Sequence, residues 1–262
     1  MKEYNNRFFY LCMDETDIVT GRHLKKIPKA VASICEGLEK KPSVVMICIT
    51  CVDALLGTDM ERVCRKAEEK AGLPVRPCYM YALTREGRKP PMVHVRQSLY
   101  SLLEPGRKKG NVVNLLGYFS PLVDDCELYT LLQDAGVKTI REISRCEDFE
   151  EYKKMSEANF NLVLHPEARF AAEDFHDRLK IPFIELRRLY QIDKIESQYQ
   201  AFGAAIGAEF HAEDQKKQAQ EAIESFRKVC PNPVFAIGEC ANADPFELSL
   251  ALVKYGFKVA EI

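Results

Sequence analysis

"SVVMICITCVDALLGTD", residues 43–59, passes from a nearly unbroken apolar run into a polar turn, and its reading decides the fold. Residues 43–49 read as a strand with no polar face, as expected of a strand covered on both sides. The turn carries Gly57, with Thr58 or Asp59 placed to cap a helix over 59–71 that Gly72 and Pro74 stop. A buried strand leading through a turn into an amphipathic helix is the half-unit of a parallel sheet. Ligands of such sheets sit outside the carboxyl ends of the strands, which directs attention to residue 51.

The same alternation continues outward. Strand candidates are 7–12, 43–49, 74–80, 111–117, 137–143, 159–165, 181–186, 232–238 and 257–262. Helical patterns lie at 22–39, 59–71, 122–135, 147–157, 168–179 and 242–255, several closed by a glycine such as Gly136 or Gly256. The expected fold class is therefore α/β, with repeated Rossmann-like parallel-sheet domains flanked by helices. Residues 84–110 hold tandem prolines and seven basic residues against two acidic ones, reading as a loop, one helix and a linker. Residues 193–230 form a long helical stretch, with Gly203 and Gly207 in its first half. The expected domains are 1–108, carrying the residue 51 region, 109–205, and 206–262, a helical connector with an incomplete third α/β domain. One strand, one helix and a second strand cannot cover both faces of their own sheet, so the chain is expected to be a fragment or a shortened relative of something longer.

Of the 262 residues 47% are hydrophobic and 29% charged, enough for one large domain or a few small ones. A formal net charge of -2 gives no support to a nucleic-acid-binding surface. No run approaches the about 18 apolar residues that cross a bilayer. Asp14 and Glu15 arrive before any signal-like apolar core develops, so a cytoplasmic protein without membrane partners is expected. Neither G-x-x-x-x-G-K-S/T nor G-x-G-x-x-G occurs, so the chain has no nucleotide motif of its own.

Ten cysteines are irregularly spaced, and most read as small core residues. Cys48 and Cys51 form the C-x-x-C pair. The spacing alone admits a metal chelate, a redox dithiol or two unrelated thiols. An odd separation puts them on opposite faces of a straight strand, and no histidine stands at finger spacing. The reading adopted is that Cys48 belongs in the core and Cys51 is presented at the sheet edge.

"MDETDIVTG" before a helix, then a strand entering "TCVDALLGTDMERVCRKAEEKAGLPV", resembles nitrogenase component 1 proteins. The superfamily includes molybdenum–iron protein subunits, cofactor-assembly scaffolds and dark-operative tetrapyrrole reductases. "NVVNLLGYFSP", "ELYTLLQDAGV", "SEANFNLVLHPEARFAAEDFHDRLKIPFIEL" and "NPVFAIGECANADPFELSLALVKYGFKV" extend the resemblance over nearly the whole chain in the family's order. The most specific piece is Thr50-Cys51 followed by the Leu56-Gly57-Thr58-Asp59 turn.

The resemblance implies an iron–sulfur cluster at a subunit interface, with Cys51 as a metal ligand and Gly57 beside it. The family's other two cysteines fall before Met1, and a cubane takes roughly four ligands. The isolated chain is therefore expected to bind a cluster weakly or not at all. In "FNLVLHPE", His165 stands where the catalytic subunit of the molybdenum–iron protein has a cofactor-ligating cysteine, and His94 in "PPMVHVRQ" falls near the family's histidine loop. His165 and His94 are the expected catalytic residues, with Arg96 or Arg85 helping to grip a carboxylate-bearing ligand. Imidazole is not the soft thiolate of that cofactor, which argues against dinitrogen reduction.

Three readings follow. The first is an oxidoreductase subunit, paired with a similar subunit in a homo- or hetero-dimer and supplied with electrons by an ATP-dependent iron–sulfur reductase. The second is a non-catalytic scaffold or structural partner subunit, and the third a metal-free small-molecule-binding relative.

Overall fold

The computed structural model describes residues 7–49, 51–80, 89–238 and 244–262. It divides into two compact units, Met1–Leu103 and Glu104–Ile262.

In the first unit, α1 (Glu15–Val19) opens on a reciprocal capping box between Asp14 and Asp17. Next come α2 (His23–Gly37), β1 (Val45–Ile49), α3 (Cys51–Leu55), α4 (Met60–Ala71), β2 (Val75–Tyr79) and α5 (Pro91–Tyr100). β1 and β2 pair in parallel, Val45 opposite Val75 and Cys48 opposite Cys78. α2 and α4 pack their apolar stripes on one face of this pair, burying Val31, Cys35, Cys64, Ala67 and Val75 with Val45 and Ile47. α4 begins where the Asp59 carboxylate accepts the Arg62 N–H at 3.0 Å, and ends at left-handed Gly72. The sequence reading of 59–71 thus locates α4 to within a residue.

Residues 7–12 do not form the expected strand. Phe8 and Tyr10 are exposed, and the segment pairs with no strand among the described residues. A short apolar run carries no periodicity that separates a strand from irregular chain, and without a neighbour its backbone gains no ladder.

The second unit contains β3 (Val112–Leu116), α6 (Glu127–Asp134), β4 (Thr139–Glu142), α7 (Phe149–Lys153), β5 (Phe160–Val163), α8 (Arg169–Leu179) and β6 (Phe183–Glu185). The strand order is β4-β3-β5-β6, every pair parallel. Val113, Leu115 and Leu162 join Leu128 and Leu132 of α6 in the core, completed by Phe202 of α9 (Ile192–Ile206). A fully buried aliphatic side chain of this kind contributes about 1.5–3 kcal/mol. Asn114 and Asn161, opposite each other in register, are wholly buried, and Asn114 Nδ2 donates to both Asn161 Oδ1 and the Met155 carbonyl.

The expected long helical stretch over 193–230 consists of two helices: α9 stops at left-handed Gly207 and α10 (Glu213–Val229) follows. β7 (Val234–Ala236), α11 (Pro245–Lys254) and β8 (Lys258–Glu261) form a further parallel strand–helix–strand unit. Phe226, Phe235 and Phe257 pack as a ring trio beneath it, centroids 5.7–6.2 Å apart. The Glu247 carboxylate accepts Tyr190 N at 2.7 Å and Gln191 Nε2 at 2.9 Å, while the Tyr255 hydroxyl accepts Ile192 N and donates to the Tyr190 carbonyl. These bonds fasten the last segment to the chain leaving β6. The strand–helix repeats are those expected of a doubly wound α/β fold.

Candidate functional site

β1 ends at Ile49, and Cys51 is the first residue of α3. Thr50, the other half of the Thr-Cys motif, lies outside the described residues. α3 is short because Gly57, at φ 63°, turns the chain into a position that a side chain would strain. Space is open where a Cβ would stand, so the glycine serves the turn rather than a close approach. Cys51 is exposed, and so are Val52, Leu55 and Leu56 around it. An accessible thiol is thus held at a strand's carboxyl end, on an apolar surface.

Cys48 is also exposed, which overturns its expected place in the core. Alternation turns Val45, Ile47 and Ile49 toward α2 and α4, and Cys48 lies on the other face. On that face Cys78 is buried, whereas Cys48 is open. Cys51 follows after the strand has ended, so the straight-strand geometry assumed for the C-x-x-C pair does not apply. Among the described residues no group of three or more His, Cys, Asp or Glu side chains is placed to hold a metal ion. The described residues thus bring together no set of the roughly four ligands that a cubane takes.

The second constellation stands at the carboxyl edge of the second unit's sheet. β5 hands its chain to His165, still extended at φ −139° and ψ 133°, and Pro166 then opens a short 3-10 turn. His165 Nδ1 accepts the Glu167 N–H at 3.3 Å, and the Glu167 carboxylate lies 3.7 Å from the same nitrogen. With Nδ1 accepting, the neutral ring carries its proton on Nε2. The Tyr118 ring stands edge-on to the imidazole, centroids 5.6 Å apart. Arg188, just beyond β6, stacks over the Tyr118 ring at 5.9 Å and donates through Nη2 to its hydroxyl at 3.1 Å.

Gly117 makes this geometry possible. Its φ is 143°, and a Cβ there would fall 2.8 Å from His165 N and 2.9 Å from His165 Cβ. β3 and β5 therefore approach closely enough for Leu164 N to reach the Leu116 carbonyl at 2.8 Å. The loop from Tyr118 to Cys126 is held by Glu142 at the end of β4, a carboxylate only 5% exposed. It accepts Leu122 N at 2.9 Å, Arg145 Nε at 3.0 Å and the Tyr129 hydroxyl. Burial, then the bond to Glu142, push the Tyr129 phenol up to about 12.

His94 lies on α5 of the first unit, its ring 5.8 Å from that of Tyr79. Arg96 is buried, and its guanidinium donates to the Met92 carbonyl at 3.1 Å in its own helix. Arg85 lies outside the described residues. The structure thus assembles His165 with Tyr118 and Arg188, two residues the sequence reading missed. Their positions just past β3 and β6 were the available signal, since that is the edge where such sheets bind ligands.

A family model described as nitrogenase component 1 type oxidoreductase matches residues 2–260. Among curated relatives, the nitrogenase iron-molybdenum cofactor biosynthesis protein NifE of a Nostoc species is 27% identical over 214 residues, covering 80% of this chain and 44% of that protein. NifE of Klebsiella pneumoniae is 24% identical over 232 residues, covering 84% of this chain and 49% of its own length. The solved structure "Nitrogenase Cp1 at pH 6.5" matches with a TM-score of 0.63 at 18% identity, over 94% of this chain and 49% of that one. The chain thus spans about half the length of the proteins it resembles.

Proposed function

Because the chain belongs to the nitrogenase component 1 type oxidoreductase family, we propose that it is a cofactor-handling member, with its ligand seat at the carboxyl edge of the β4-β3-β5-β6 sheet. The observation that carries this reading is the His165–Tyr118–Arg188 cluster, held by the close approach at Gly117. A guanidinium stacked on a ring, beside an imidazole with its proton on Nε2, offers directed hydrogen bonds to an anionic, carboxylate-bearing cargo. The NifE relatives are named for iron-molybdenum cofactor biosynthesis, and a cofactor or its precursor is the cargo that name suggests.

The residues do four things in this account. Arg188 neutralises negative charge, and His165 Nε2 donates a hydrogen bond to the cargo. Tyr118 fixes the orientation of both, and Glu167 restrains the imidazole from behind. Among the described residues no complete ligand set for a resident cluster is assembled, and the roles above concern binding alone. One observation favours a second reading, the oxidoreductase subunit. Cys51 stands exposed at a strand end within an apolar surface, as an interface ligand needs, and a similar subunit and an ATP-dependent iron–sulfur reductase are the partners this reading requires.

The test is calorimetric titration of the purified chain with citrate as the polycarboxylate probe. Saturable binding by the wild type, weakened about tenfold or more in His165→Ala and again in Arg188→Ala, is expected; charge-assisted hydrogen bonds are worth about 1.5–3 kcal/mol each. Equal affinity in all three proteins refutes the seat. Iron and acid-labile sulfide assays after anaerobic purification test the second reading. The expectation is well under one cluster per chain. A stoichiometric cluster lost in Cys51→Ser supports the oxidoreductase reading, and one that survives the substitution removes Cys51 as a ligand.

A further inference from the structure

We propose that Cys48 and Cys78 are a reversible thiol-modification site, closing to a disulfide across β1 and β2 through exchange with an oxidised low-molecular-weight disulfide of the glutathione class.

The two residues are Cα partners in the parallel ladder, so their side chains leave the same face of the pair. Neighbouring strands lie about 4.7–4.9 Å apart, inside the roughly 4.4–6.8 Å window that disulfides bridge between Cα atoms. The Cys48 side chain stands near enough to act on the Cys78 thiol and raise its pKa. The remaining buried thiols in this unit, Cys35 of α2 and Cys64 of α4, lie in the core on the opposite side of the sheet.

The pair is chemically asymmetric. Cys48 is exposed and meets the reagent first, while Cys78 is buried at 6% exposure. Burial, and then the neighbouring Cys48, push the Cys78 thiol up to about 11, so it is a poor nucleophile at neutral pH. The Cys48 thiolate attacks one sulfur of the incoming disulfide, forming a mixed disulfide and releasing one small thiolate. Cys78 gives up its proton and attacks the Cys48 sulfur, releasing the second small thiolate and closing the protein disulfide. The protein loses two protons and two electrons, and the small disulfide takes them up to become two thiols. The closed bond would tie β1 to β2 three residues before Cys51. The redox state of the pair would thereby set the stiffness of the strand end that presents that thiol.

The experiment treats the fully reduced chain with excess oxidised glutathione, alkylates it under denaturing conditions, and maps peptides by mass spectrometry. The expected result is a Cys48–Cys78 cross-linked peptide with loss of both alkylatable thiols, retained in Cys51→Ser and reversed by dithiothreitol. In Cys78→Ser the adduct on Cys48 persists. In the wild type, conversion of that adduct to the cross-link speeds up as pH rises toward 11. A stable glutathione adduct on Cys48 with Cys78 still alkylatable overturns the proposal, as does a Cys48–Cys51 cross-link. The mapping on the wild type stands even if a substituted chain misfolds.

Discussion

Gly117→Ala is expected to destabilise the protein by about 2–4 kcal/mol, because two costs fall on one methyl group. A φ of 143° is a conformation that side chains rarely adopt, and the methyl would stand 2.8 Å from the His165 backbone nitrogen. Neither neighbour can yield cheaply. The obstacle is backbone, and Leu164 N is bonded to the Leu116 carbonyl beside it. Thermal unfolding should fall by about 2–4 °C for each kcal/mol lost in a chain of this size. The citrate affinity should fall as well, since β5 must move and carry His165 with it. A Gly117→Ala protein that melts within about a degree of wild type would show that β3 and β5 can part without cost.

Glu142→Ala carries the second large effect, again about 2–4 kcal/mol. The substitution strips partners from Leu122 N, Arg145 Nε and the Tyr129 hydroxyl at once, while Arg145 keeps its bonds to Asp124 and the Leu122 carbonyl. Glu142→Gln retains the shape and part of the bonding, and should cost about half as much. The same network has a pH signature. The Tyr129 phenol titrates in the folded protein at about 12, against an ordinary value of 10.0. A phenol whose pKa is raised on folding contributes stability that is whole below about 10 and is lost as pH climbs toward 12. Chemical denaturation of wild type and Tyr129→Phe should therefore show a stability gap that narrows over that range. A gap constant from about pH 9 to about pH 12 would mean the phenol is not held by Glu142.

Much of the architecture was legible because it rests on local chemistry. Asp59 and Gly72 announce the two ends of α4, and the mostly apolar runs at 111–117 and 159–165, each broken by an asparagine, announce strands covered on both faces. What failed locally was the segment 7–12, where composition without a partner strand said nothing. The burial of Cys48 failed for a different reason. Which face of β1 is covered depends on where α2, α4 and α5 settle, and no neighbour in sequence encodes that. The site divides along the same line. His165 was legible from the Leu-His-Pro ending of its strand, whereas Arg188 reaches Tyr118 from 70 residues away. Glu142 likewise holds Leu122 across 20 residues, a bond that only the parallel register of β3 and β4 brings within range.

The most direct measurement of the proposed seat is histidine-selective nitrogen-15 NMR during titration with citrate. The chain has five histidines, and His165→Ala assigns the resonance in question. The account predicts that the Nε2 signal of His165 moves with occupancy and saturates, while those of His176 and His211 stay in place. A His165 ring indifferent to saturating citrate, or citrate shifts confined to the other histidines, would contradict it.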